Sequence, residues 1–251
     1  MANIVIIPAR YGSTRLPGKP LLAATGKPLI QHVVEAVQGT PDIDRIVVAT
    51  DDERILHAVE AFGGTAVMTS PNCPTGTDRL AQAAVALNLA DDDVVINVQG
   101  DEPEMPARNI HKLLDVLQRC GSPMATLATP LPAEQADNPN KVKVALRANG
   151  LAMYFSRSRI PFDRDAAGNV NYLLHLGIYA YRVGFLKKFT SLPPTPAEEA
   201  EKLEQLRALE SGYDIAVAVV DHSGAGIDTP EDYAAFVVRF NDKALTNNNN
   251  G

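Results

Sequence analysis

Four short runs of aliphatic and β-branched residues mark the first half of the chain: NIVII (3–7), RIVVAT (45–50), DVVINV (93–98) and MATLAT (124–129). Each is almost continuously apolar rather than alternating, the pattern of a strand covered on both faces. Between them the period changes. PLIQHVVEAVQ (28–38), DDERILHAVEAFGG (51–64), TDRLAQAAVALNL (77–89) and PARNIHKLLDVLQRCG (106–121) read as helices. Several open on Asp, Thr or Pro and two close at Gly, which are start and stop signals. Strands that alternate with helices are joined by crossovers, and crossovers impose a mostly parallel sheet flanked by helices. The alternation therefore predicts an α/β fold, with ligands beyond the carboxyl ends of the strands.

Residues 131–182 break the pattern. They are rich in Pro, Asn and aromatic residues, with strand-like KVKVAL (141–146) and LAMYFS (151–156), and with HLGIYAYR (175–182), which alternates poorly. This stretch predicts a smaller sheet or flap. PAEEAEKLEQLRAL (196–209) reads as one helix, DIAVAVV (214–220) as a strand and TPEDYAAFVVRF (229–240) as the last helix. The polar tail TNNNNG is expected to fray, which makes 246–251 a flexible tail. A chain of 251 residues that is 45% hydrophobic can fill one large core with an attached subdomain. Its net charge of −7 argues against a nucleic-acid binder, which would display a basic face. Pro8 and Arg10 interrupt the first apolar run, so neither a signal peptide nor membrane insertion is expected, and the cytoplasm is the expected location. Cys73 and Cys120 are far apart and outside metal-ligand spacing, as idle thiols of a reducing compartment would be.

Against that acidic background, the loop ARYGSTRLPGKP (9–20) gathers Arg10, Arg15 and Lys19 just after the first strand. Glycine lets backbone amides approach an anion, the cations add charge, and Pro17 and Pro20 narrow the directions open to Arg15 and Lys19. The loop is not a Walker A motif, because five residues separate Gly12 from Gly18 and Pro20 replaces the Ser/Thr. It is not G-x-G-x-x-G either, which disfavours an NAD-dependent dehydrogenase. A bound polyphosphate calls for a divalent cation held by carboxylates. VINVQGDEP (95–103) offers Gln99, Asp101 and Glu102 after a strand, with Gly100 permitting a sharp turn. Asp228 in GAGIDTPED is either a second metal carboxylate or the N-cap of the last helix. In CPTGTDRLA (73–81), Thr77 is a candidate cap and Gly76 a point of close backbone approach. Arg79 opposes the helix dipole, so it needs a bound anion, an acidic partner or a surface salt bridge. His175, in an apolar strand, is either a core residue or a ligand contact. Glu204 and Gln205 are either helix surface or two groups at the edge of a buried face.

The motifs I-P-A-R-Y-G-S-T-R-L-P-G-K-P, T-G-T-D-R, V-Q-G-D-E-P, Y-F-S-R-S-R-I-P-F-D-R, H-L-G-I-Y-A-Y-R, K-L-E-Q-L-R-A-L-E and I-D-T-P-E-D follow one another over nearly the whole chain. In this order they resemble the nucleotide-sugar cytidylyltransferases, most narrowly the 3-deoxy-manno-octulosonate (Kdo) cytidylyltransferase family. The resemblance implies a Rossmann-like nucleotidyltransferase fold with a mostly parallel sheet. It implies one domain over 1–245, with a sugar-binding and dimerisation subdomain inserted at about 131–195, and a homodimer. The implied reaction joins CTP and Kdo into CMP-Kdo and pyrophosphate, with Mg²⁺, for lipopolysaccharide-type glycan synthesis. Pro8, Ala9, Arg10, Gly12, Ser13, Arg15 and Lys19 would surround the CTP, with Arg15 and Lys19 on its phosphates. Gly76, Thr77 and Arg79 would lie near the cytidine. Asp101 and Asp228 would hold the magnesium. Gln99, Arg157, His175, Tyr179, Glu204 and Gln205 would face the sugar acid, with Arg157 either on its carboxylate or in a structural salt bridge. Gly12, Asp78 and Phe162 depart from residues common in the family. Asp78 and the IPFDRD stretch also resemble relatives that activate 8-amino-Kdo, so that sugar, or another 2-keto acid such as sialic acid, is an alternative acceptor. A non-catalytic nucleotide-binding regulator is disfavoured, because both aspartates and all three loop cations are present.

Overall fold

The structure, a computed structural model, describes residues 1–12, 16–165, 168–221, 224 and 226–248. The strands are β1 (Asn3–Ala9), β2 (Arg45–Thr50), β3 (Ala66–Met68), β4 (Val94–Asn97), β5 (Met124–Leu131), β6 (Lys143–Leu146), β7 (Ala152–Ser156), β8 (Tyr172–Arg182) and β9 (Ile215–Val219). The helices are α1 (Leu29–Val37), α2 (Glu53–Ala61), α3 (Gly76–Ala86), α4 (Ala107–Cys120), α5 (Val183–Ser191), α6 (Pro196–Glu201), α7 (Gln205–Glu210) and α8 (Pro230–Asn248). The chain divides into two compact units. An N-terminal unit comprises Ile4–Asn88, Asn97–Ala107 and Gly224–Gly251; a central unit comprises Met1–Asn3, Leu89–Ile96 and Arg108–Ser223. Among the described residues no helix is long and apolar enough to cross a membrane.

In the N-terminal unit β1 runs parallel to β2, from Ile4 beside Arg45 to Ala9 beside Thr50, and β2 runs parallel to β3. Ile4 to Ile7 and Val47 to Ala49 are fully buried, as the continuous apolar runs predict. The three-residue β3 is too short to stand out in the sequence. α1 buries Leu29, Ile30, Val33 and Val37 on one face. Leu16, Leu29, Ile227 and Phe236 form a common cluster, so the basic loop, α1 and α8 share one piece of core. α8 continues to Asn248, eight residues past the end read from the sequence and into the segment expected to fray.

In the central unit β5 pairs parallel with β9 and antiparallel with β8, and β6 and β7 form an antiparallel pair joined to β8 through Lys143 beside Leu174. The register of β5 against β8 slips between Thr126 and Leu127: Thr126 faces Tyr179, and Leu127 faces Leu176. Gly177 and Ile178 are therefore extra residues on β8, which is why HLGIYAYR does not alternate. Lys143 is fully buried, and its ammonium donates to the Asn138 and Arg157 carbonyls at 3.0 and 2.6 Å.

The single helix expected over 196–209 is two. Lys202, in the left-handed region at φ 54°, ends α6, and α7 starts afresh. The break lets the Arg207 guanidinium reach the Glu198 carboxylate at 2.8 and 2.5 Å. In an unbroken helix residues nine apart lie on opposite faces and about 13 Å along the axis, so that buried ion pair could not form.

Candidate active site

The site is built in the N-terminal unit where β1 ends. After Ala9 the chain leaves the sheet through Arg10, which is exposed, and returns when the Gly18 N–H donates to the Tyr11 carbonyl at 3.2 Å. Gly18 takes φ 65°, and a single 3₁₀ turn over Lys19–Leu21 follows, with Pro20 buried. The Arg54 guanidinium sits 3.4 Å from the Tyr11 ring centroid and braces the outgoing arm. The turn aims Lys19 inward. Ser13 and Arg15, both expected on the nucleotide, lie outside the described residues.

Lys19 is the hub. Its ammonium donates to Asp101 Oδ2 at 2.7 Å and to the Ile227 carbonyl at 2.8 Å, and lies 3.8 Å from Asp228 Oδ1. Three segments remote in sequence thus meet at one nitrogen. The segment carrying Asp101 is registered on β1 by Val98 N–H donating to the Ile6 carbonyl at 3.4 Å. Gly100 passes so close to β1 that a Cβ there would sit 2.8 Å from the Pro8 carbonyl oxygen, so glycine is needed at that point. The segment carrying Asp228 is strapped on by Ile227 N–H donating to the Asp101 carbonyl at 2.9 Å. Asp228 does not cap α8. Thr229 and Asp232 do, with Asp232 Oδ2 accepting from the Thr229 N–H and Thr229 Oγ1 accepting from the Asp232 N–H, and the Asp228 carboxylate lies toward Lys19.

α3 forms the third wall. Its cap is Thr75 rather than Thr77, in a reciprocal box with Asp78; Thr77 is buried in the first turn. Arg79 is only 4% exposed, which overturns the surface salt bridge allowed by the sequence. Its guanidinium pairs with Asp51 at 2.6 Å and donates to Thr69 Oγ1 at 2.5 Å, so an acidic partner answers its position against the helix dipole. Pro8, Ala9, Arg10, Gly12, Lys19, Gly76, Arg79, Gln99, Asp101 and Asp228 all line one cavity of about 420 Å³. Cys73, Thr75, Pro20 and Gly100 line it too, although nothing in the sequence marked Cys73 beyond its neighbourhood to Gly76. The T-x-x-D spacing at 75–78 and 229–232 was the legible signal for both caps.

Burial, and then the negative charge of Asp101, push the Glu102 carboxyl up to about 8, and its Oε2 is buried with no hydrogen-bond partner among the described residues. Near neutral pH, Glu102 therefore keeps its proton and adds no charge beside Asp101. Among the described residues no three His, Cys, Asp or Glu side chains cluster as a metal cage. What the cavity offers a cation is two carboxylates directed at one point. That set suits a hard divalent ion whose remaining ligands are phosphate oxygens and water.

Of the residues expected on the sugar acid, Gln99 lines this cavity and the rest belong to the central unit. There His175 and Tyr179 adjoin, ring centroids 5.5 Å apart. Burial pushes the His175 imidazole down to about 3, so it is neutral. Burial, then the Glu204 carboxylate, push the Tyr179 phenol above its usual range. Glu204 and Gln205 stand at the start of α7, not on the side of a longer helix; Gln205 is 5% exposed and its Nε2 has no hydrogen-bond partner among the described residues. Among the described residues Arg157 makes no ion pair through its guanidinium. Nε, NH1 and NH2 donate to the carbonyls of Glu201, Pro139 and Lys202 at 2.6, 3.0 and 3.4 Å, clamping the break between α6 and α7.

The cytidylyltransferase family model matches residues 4–215. A 3-deoxy-manno-octulosonate cytidylyltransferase of Thermodesulfovibrio yellowstonii is 50% identical over 244 residues, 92% of this chain and 95% of that protein. The solved structure of a CMP:2-keto-3-deoxy-manno-octonic acid synthetase complexed with CTP superposes with a TM-score of 0.92 at 42% identity, covering 97% of this chain and all of the other. A cytidylyltransferase of Leptospira borgpetersenii, 20% identical, shares the fold with a TM-score of 0.60 over 93% of this chain and 84% of its own.

Proposed function

The chain belongs to the cytidylyltransferase family, and we propose that it transfers the cytidylyl group of CTP to 3-deoxy-manno-octulosonate, releasing pyrophosphate. The observation that carries the reading is the convergence of Lys19, Asp101 and Asp228 on one cavity at the carboxyl end of β1, in a chain half identical to a protein of that name. The anomeric hydroxyl attacks the α-phosphorus in line, the bond to the bridging oxygen breaks, and pyrophosphate leaves with the electron pair. No covalent enzyme intermediate is needed, so positioning and charge stabilisation do the work. Lys19 brings a fixed positive charge to the phosphates; Arg15 is assigned the same task. Asp101 and Asp228 fit a Mg²⁺ site because both carboxylates already face a cation. When bound, that ion would polarise the α-phosphate and lower the pKa of the attacking hydroxyl. Arg79 and Gly76 are assigned to the cytidine, and Gln99, Arg157, His175, Tyr179, Glu204 and Gln205 to the sugar acid.

The same reading makes the protein a cytoplasmic homodimer that supplies an activated sugar acid for lipopolysaccharide-type glycan synthesis. The test is pyrophosphate release with CTP and each of Kdo, 8-amino-Kdo and sialic acid, with and without Mg²⁺. Release with Kdo that needs Mg²⁺ is expected. Release with none of the three acids refutes the proposal, and a clear preference for 8-amino-Kdo replaces its substrate. Light scattering on the purified protein tests the dimer, and a monomer at working concentration refutes it.

A further inference from the structure

The slip between β5 and β8 has a chemical consequence at Thr126. That residue is fully buried, and its Oγ1 lies 3.0 Å from the Leu176 carbonyl, 2.8 Å from the Ile178 carbonyl and 3.1 Å from His175 Nε2. One carbonyl belongs to the residue just before the two extra residues of β8 and the other to the second of them, and both face one hydroxyl. A carbonyl can only accept, and a hydroxyl owns one proton. Thr126 therefore spends its proton on the carbonyls and has only lone pairs left for the imidazole. Were Nε2 unprotonated, three acceptors would compete for a single proton in a buried place. The arrangement is satisfied only if Nε2 carries the hydrogen and donates to Oγ1.

From this count we infer that Thr126 is a positioning residue: it fixes His175 as the Nε2–H tautomer, so that Nδ1 is held as a hydrogen-bond acceptor for a hydroxyl of the sugar acid. Nδ1 meets no hydrogen-bonding group among the described residues. The ring plane is held by Phe155, edge-on at 4.9 Å between centroids, and by Tyr179 at 5.5 Å. Burial disfavours the charged imidazole and keeps it neutral, so the tautomer is set by this hydrogen bond rather than by pH. A bulge that looks like a flaw in strand pairing thus has a use: it delivers two carbonyls that dictate which way a threonine hydroxyl points, and through it which imidazole nitrogen can accept. The sugar-acid half of the inference rests on the function proposed above; the tautomer half does not.

Two measurements separate those halves. Ring-¹⁵N-labelled protein reports each imidazole's tautomer, and among the five histidines the His175 signal is identified by its loss in His175→Gln. The wild type should show a protonated Nε2 and a bare Nδ1, and Thr126→Val should lose that bias. In pyrophosphate-release kinetics, Thr126→Val should raise KM for Kdo roughly tenfold, the worth of one hydrogen bond, with KM for CTP within about twofold of wild type. Thr126→Ser, which keeps the hydroxyl, should restore both readouts. A wild-type proton on Nδ1, or an unchanged tautomer in Thr126→Val, overturns the inference. A rise of both KM values together also overturns it, because that marks a structural role only. If the wild type releases no pyrophosphate with Kdo, the proposed function falls while the tautomer measurement still decides the role of Thr126.

Discussion

Replacing Lys19 with Ala probes the hub of the site through two separate observables. The ammonium serves Asp101, Asp228 and the Ile227 carbonyl, and the Lys19 and Asp101 side chains are 15% and 30% exposed. A charge-assisted hydrogen bond in that setting contributes about 1.5–3 kcal/mol, and the residual exposure lowers the net figure to about 1–3 kcal/mol. For a chain of this size that is a fall in melting temperature of about 2–12 °C. The variant also removes the ammonium that Asp101 and Asp228 share. Mg²⁺ alone should then stabilise Lys19→Ala more than wild type, because in the wild type the ammonium already offsets part of the charge of these carboxylates. At ten times its Kd the ion would return about 1.4 kcal/mol. The chemical step should slow by roughly 10²–10³, the usual loss for one preorganised charge donor. Thermal melts with and without Mg²⁺, with pyrophosphate-release kinetics beside them, measure both. Unchanged CTP kinetics would refute the reasoning. So would a larger Mg²⁺ stabilisation in wild type than in the variant.

Glu102 makes a prediction in pH. Its carboxyl is raised from 4.5 to about 8 in the folded state, so between those values the folded chain holds a proton that the unfolded chain has released. Its contribution to stability therefore falls as pH rises from about 4.5 to 8 and is level above 8. Measured without divalent ions, Glu102→Gln should be more stable than wild type at pH 8.5 by about 1–3 kcal/mol, with the difference vanishing near pH 4; equal stability at both values contradicts the burial argument. Two glycines separate fold from ligand. Gly100→Ala drives a Cβ against the Pro8 carbonyl, so it should lower stability by about 1–3 kcal/mol and displace Asp101. A Cβ at Gly76 meets nothing closer than 3.9 Å among the described residues, so in Gly76→Ala stability should hold within about 0.5 kcal/mol while KM for CTP rises. A destabilised Gly76→Ala would show that this glycine serves the fold, not a ligand.

The meeting of Lys19 with Asp101 and Asp228 could be expected from sequence for a topological reason. β1 and β4 are each read as buried strands, and loops leaving such strands gather at one edge of a parallel sheet, whatever their separation along the chain. What Lys19 touches was not legible, because it depends on a turn at Gly18 and on the strap from Ile227 to the Asp101 backbone, neither of which has a periodic signature. The T-x-x-D spacing that marks Thr75 and Thr229 as caps is present in the sequence, but Thr77 and Asp228 stood as the candidate caps, because neighbouring hydroxyl and carboxylate residues compete for that role. The division of 196–209 at Lys202 was hidden, because the stretch is uniformly helix-forming. Only the long-range pull of Glu198 on Arg207, and of Arg157 on the Glu201 and Lys202 carbonyls, breaks it. The poor alternation of HLGIYAYR was visible as an irregularity, and its cause, two extra residues opposite Thr126, became visible only in the pairing.

The most direct test of the account is the Mg²⁺ dependence of pyrophosphate release in Asp101→Asn, Asp228→Asn and the double variant. If both carboxylates serve one metal-bound triphosphate, each single change lowers turnover at least about a hundredfold, and the double change is scarcely worse than either, as for residues acting as a unit. Near-wild-type release by either single variant at saturating Mg²⁺ would contradict the shared site. Losses that multiply in the double variant would contradict it as well.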